Sequence, residues 1–73
     1  MERNWVAGMK DVKCFAEKNE QGTWKGRVLV GSGKDERRNE RYLDCGGVAA
    51  TESEAVEAAT AWALARMPED VAT

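Results

Sequence analysis

Two thiols, Cys14 and Cys45, stand in a chain of 73 residues that contains no histidine. The missing imidazole removes the commonest general acid–base, the Ser-His and Cys-His nucleophile pairs, and every histidine-bearing zinc site. Two thiols alone do not complete a metal centre, and spacing brings no pair of carboxylates together. No catalytic residue, metal ligand or cofactor is therefore assigned, and the chain reads as non-enzymatic. Gly31-Ser32-Gly33-Lys34 has the glycines and lysine of a phosphate loop but neither its full spacing nor a helix directly after it. It reads as a flexible strand exit.

The other residues that could act are basic and aromatic. Lys34, Arg37, Arg38 and Arg41 could grip phosphates, but Asp35, Glu36 and Glu40 lie among them. Residues 34–41 carry four basic and three acidic groups, a net +1, and such interleaving dilutes a positive field. This stretch has almost no apolar content and is expected to be a long, mobile, solvated loop. Across the chain 11 basic and 13 acidic residues leave no basic excess, whereas a general nucleic-acid binder usually shows one. Nucleic acid is the disfavoured partner. Among the aromatics, Trp62, on the packed helix face, and Trp24, which shares parity with Val28 and Val30, read as core, whereas Trp5 could either dock on the chain's own core or contact a partner.

These residues need a frame, and the helix is the clearest part of it. Thr51, with Glu54 three residues on, forms a capping-box pattern; Glu52 and Glu54 suit the positive end of the helix dipole and Arg66 the negative end. Pro68 stops the run, so a helix is expected over 52–67. Ala55, Ala59 and Ala63 make a ridge of small side chains on one face, flanked by Val56, Trp62 and Met67, while Glu57, Ala61 and Leu64 point away.

Alternation marks strands over 11–17 and 23–30. Val12, Cys14 and Ala16 share one face of the first, and Trp24, Gly26, Val28 and Val30 one face of the second. Lys18-Asn19-Glu20-Gln21-Gly22 is the turn between them. A third strand over 41–45 is expected to stop at Gly46-Gly47, and residues 1–10 form an arm or a short strand. The expected fold is α+β: a three-stranded antiparallel meander with one C-terminal helix packed on one face, in a single domain over 1–73, ending in a frayed tail over 68–73. In a meander, Cys14 and Cys45 flank the middle strand about 10 Å apart, beyond the ~7 Å a disulfide tolerates. A reduced pair is expected. The face away from the helix, with Phe15, Lys25, Arg27 and Leu29, together with Trp5, is the candidate partner contact.

In order of elements the chain resembles the double-stranded-RNA-binding-domain-like folds, including the antitoxin half of the Hic toxin–antitoxin pairs. A Gly-rich strand end followed by Thr-x-x-Glu-Ala-x-x-x-Ala is typical there, matched by Gly46-Gly47, Thr51, Glu54, Ala55 and Ala59. It also resembles small proteobacterial proteins of unknown function that pair a Gly-x-Trp-x-Gly-x-Val strand, here Gly22, Trp24, Gly26 and Val28, with such a helix. The first resemblance implies a nucleic-acid-binding or antitoxin-like regulator, using Lys34, Arg37, Arg38 and Arg41 on phosphate. Glu52-Ser53-Glu54, at the helix start where an RNA binder keeps cations, would repel it.

The leading expectation is thus a small protein–protein interaction or regulatory module, with a protein partner or a second copy of itself. No run of about eighteen apolar residues predicts a membrane span. The start Met1-Glu2-Arg3-Asn4 lacks a secretory layout, so a cytoplasmic protein is expected.

Overall fold

The computed structural model describes residues 1–69, and in it the alternation of apolar and polar residues runs through four strands rather than three. They are β1 (Arg3–Ala7), β2 (Lys10–Lys18), β3 (Trp24–Ser32) and β4 (Asn39–Ala49), antiparallel throughout and adjacent in chain order. One helix, α1 (Glu52–Arg66), covers a face formed by β2, β3 and β4. The expected fold class holds, with one more strand. The frayed tail expected over 68–73 lies, from residue 70 on, outside the described residues.

The added strand comes from the N-terminal arm. Trp5 pairs with Val12 and faces the helix side, and Gly8 (φ 66°) occupies the first of the two loop positions between Ala7 and Lys10. A two-residue hairpin loop with a positive φ at its first position is a place for glycine.

Cross-strand register puts Val12 opposite Val30, Cys14 opposite Val28, and Ala16 opposite Gly26. These pairs share the helix-facing side, as their parity implied. The alanine ridge presses onto them: Ala59, Ala63, Val56, Val28 and Cys14 have no exposed surface. Gly26 sets the approach distance. A Cβ built there would lie 2.8 Å from the Ala55 carbonyl oxygen and 3.0 Å from Ala59 Cβ, so only glycine admits the helix at this depth. The cap forms as read, with the Thr51 hydroxyl accepting from Glu54 N–H at 3.2 Å and donating to the Glu54 carboxylate at 2.9 Å.

Three expectations are corrected. The stretch over 34–41 is exposed where its side chains are described, as expected, but it is not a long loop: β3 runs to Ser32, a single 3₁₀ turn spans Asp35–Arg37, and β4 begins at Asn39. Gly46-Gly47 does not end the last strand. The pairing shifts between Lys25 and Arg27, so that Cys45, Gly46 and Gly47 bulge opposite Gly26 and pairing resumes at Val48. Such bulges bend an edge strand without stopping it.

The tryptophans also differ from their reading: Trp5, left open between core and partner, is core, while Trp62 and Trp24, read as core, are only half-buried. Trp5 is the buried one, 8% exposed, and its Nε1–H donates to the Met67 carbonyl at 2.9 Å. Trp62 is half-buried on the flank of the core, and Trp24 is half-buried at the start of β3, outside the buried cluster. Cys14 and Cys45 are free thiols on the two strands that flank β3. Burial pushes the Cys14 thiol above its usual range, so it stays neutral and unreactive.

Candidate functional site

The side of the sheet away from the helix is open to solvent, and the strand register assembles one cluster at its centre. Phe15 on β2 stands opposite Arg27 on β3, and Leu29 on β3 stands opposite Tyr42 on β4. The rings of Phe15 and Tyr42 meet edge to face, with centroids 6.2 Å apart. The Arg27 guanidinium lies 5.0 Å from the centre of the Tyr42 ring, within reach of a cation–π attraction. Beside this cluster lie two shallow grooves of about 400 and 410 Å³ that share Lys13 and Leu29.

Every cation on this face has an acidic partner. Lys13 pairs with Glu2 at 3.4 Å, Lys25 with Asp44 at 3.3 Å, and Arg27 with Glu17 at 3.7 Å. Arg38 spans three strands: it donates from Nη1 and Nη2 to both carboxylate oxygens of Asp11 on β2, and from Nε to Glu40 on β4 at 3.1 Å. It crosses β3 at Gly31, where any side chain would collide with the guanidinium. The Arg38 hydrogen bonds hold the Asp11 carboxyl below the usual carboxylate range, and Asp11 in turn raises Arg38. The Gly46 N–H, then Lys25, lower Asp44 in the same way. These pairs join four cations to five acids.

Of the residues proposed from sequence as a partner contact, Phe15, Lys25, Arg27 and Leu29 are brought together here. Trp5 is not: it sits in the core on the opposite face. The phosphate set is dispersed. Lys34 and Arg37 are exposed on the turn, Arg38 is engaged with Asp11 and Glu40, and Arg41 faces the helix side opposite Val30. Tyr42 and Asp11 were missed in the sequence. Tyr42 could have been found, because its parity on the last strand follows once that strand is placed opposite Leu29. Asp11 could not, because its partner lies 27 residues away across β3.

Among the described residues no three His, Cys, Asp or Glu side chains gather to hold a metal, and no helix is long and apolar enough to cross a membrane. No protein-family model, curated protein or solved structure matches this chain. The functional reading rests on the geometry of the open face itself.

Proposed function

We propose that this protein is a small non-catalytic interaction module of the cytoplasm, which binds a protein partner through the open face of its sheet. One observation carries the reading. The centre of that face is an aromatic and aliphatic patch, Phe15, Leu29 and Tyr42, and the charges around it are matched cation to acid. Phosphate binding needs cations left free to release counterions. Protein interfaces favour aromatic residues and arginine in a desolvated centre with a mixed polar rim, and this face supplies both.

The reading is tested from that patch. A photo-crosslinking amino acid placed at Leu29 should capture a specific protein in cells. That protein, purified, should bind the parent chain and lose at least tenfold in affinity to a Tyr42→Ala, Arg27→Ala variant that keeps its fold, the loss expected when two interface anchors go. Labelled duplex RNA and DNA should show no binding at physiological salt. Micromolar, salt-sensitive duplex binding that disappears in an Arg37→Gln, Arg41→Gln variant would replace the module with a nucleic-acid-binding regulator.

A further inference from the structure

The sheet has two unlike edges. β1 closes one with 5 residues, while β4 closes the other with 11, and among the described residues no strand pairs with the outer side of β4. An open strand edge is a row of backbone donors and acceptors that another strand can complete. The bulge at Cys45–Gly47, with Gly46 at φ 78°, deflects the far half of β4. Residues 39–44 stay regular.

Apolar surface lies along that regular stretch. Leu43 is half-buried on the helix-facing side of β4. Thr60, Leu64 and Glu57 line the β1 side of α1 together with Arg3 and Asn4. At about 100° per residue, Trp62 is rotated by roughly 200° from Thr60 and therefore stands on the β4 side. It is half-buried there, with the Arg66 guanidinium 4.1 Å from its ring centre.

We infer that β4 pairs antiparallel with β4 of a second copy, with Leu43 on the two-fold axis. This deepens the interaction-module reading and rests on it. Symmetry leaves few registers, because in an isologous antiparallel pair one residue must face its own copy. With Leu43 on the axis, Leu43 meets Leu43, Tyr42 meets Asp44, and Arg41 meets Cys45. No like charges oppose one another, and the two leucines, flanked by the two Trp62 rings, continue the apolar strip across the seam.

The neighbouring registers fail on charge or on shape. Tyr42 on the axis sets Glu40 against Asp44 twice. Arg41 or Asp44 on the axis sets each against itself. Cys45 on the axis carries the seam into the Gly46 bulge. Three regular residue pairs at ~3.4 Å each give a seam of about 10 Å, short of a standard interface, so the dimer is weak and concentration-dependent. Its consequence is to join two open faces into one continuous surface.

The parent chain should sediment as a monomer when dilute and approach twice that mass over a hundredfold rise in concentration. Leu43→Lys, which sets two ammonium groups against each other on the axis, should stay monomeric while keeping its helical circular dichroism. Should that variant lose its fold, the register is read by cross-linking in a Cys45→Ala background. Leu43→Cys should give a disulfide-linked dimer under mild oxidation at least tenfold faster than Tyr42→Cys, since facing residues lie about 4.5–5.5 Å apart and offset ones beyond disulfide reach. A parent that stays monomeric, a Leu43→Lys variant that still dimerises, or faster linkage at Tyr42→Cys would each overturn the edge dimer. Capture at Leu29 is scored on the other surface, so loss of the edge dimer and loss of the module reading are separate results.

Discussion

The two faces of this sheet are built from alternate residues of the same strands, yet they obey different chemistry. Toward the helix stand Val12, Cys14, Gly26, Val28 and Val30, and no described polar or charged side chain is buried there. Away from it stand Lys13, Phe15, Arg27, Leu29 and Tyr42, half-buried or exposed, with each cation paired. The covered face gains its stability by closeness: small side chains let the helix descend until Ala55 and Ala59 touch Gly26. The open face gains little from burial and keeps its long side chains ordered through cross-strand pairs. Stability sits on the first face, and the capacity to bind sits on the second.

The largest test of that division falls on the covered side. Trp5 fills the core from the edge strand and ties β1 to the end of α1 through its bond to Met67. Trp5→Ala should cost about 3–5 kcal/mol, comparable to the ~3–5 kcal/mol that one core of this size supplies. The variant should be largely unfolded at 25 °C by circular dichroism. Trp62→Ala, at a half-buried site, should cost roughly 1–2 kcal/mol. Equal losses at the two positions, read from urea midpoints, would mean that Trp5 holds no special place in the core.

Gly26→Ala sharpens the same point with a single methyl group. The new Cβ meets a backbone oxygen at 2.8 Å, a group that cannot rotate aside, so α1 must lift from β3. A destabilisation of about 1–3 kcal/mol is expected, the usual range for overpacking. The same substitution at Gly47, where a Cβ meets nothing within 4 Å, should leave the urea midpoint nearly unchanged. A neutral Gly26→Ala would show that the helix does not rest at this depth.

How much of this was legible in the sequence follows from the reach of each interaction. The helix cap, the alanine ridge and the faces of β2 and β3 are local patterns, written in residues two to four apart, and all were readable. Trp5 was not readable as core, because its hydrogen-bond partner Met67 is 62 positions away and nothing near Trp5 signals it. The charged stretch over 34–41 is as exposed as its composition suggests, but composition alone does not say that part of it is strand or that Arg38 reaches Asp11 across β3. Gly46-Gly47 was ambiguous for another reason: glycine ends strands and also builds bulges, and only the resumed pairing at Val48 separates the two. The open face was half legible. Phe15 and Leu29 followed from parity, while the matching of charges that gives the face its character depended on register between strands.

The smallest expected effect belongs to the open face and concerns protons. Asp11 has a carboxyl held below the ordinary range by the Arg38 guanidinium, and Asp44 is held low by the Gly46 N–H and then by Lys25. A depressed folded-state value means that the unfolded chain takes up protons first as the solution is acidified. The stabilisation is therefore complete above the unfolded aspartate value of about 3.9 and is lost as pH falls through the lower folded values. Both carboxylates are exposed, so solvent and salt screen the effect and it stays small. In Asp11→Asn the melting temperature at pH 7 should drop slightly, the difference from the parent should close as the pH falls below about 4, and added salt should shrink it at pH 7. Melting curves that remain parallel through that acid range would mean that the Arg38 bridge contributes nothing, and that Gly31 is needed only as backbone. The open face would then be ordered by its aromatic centre alone, with the charges serving to select the partner.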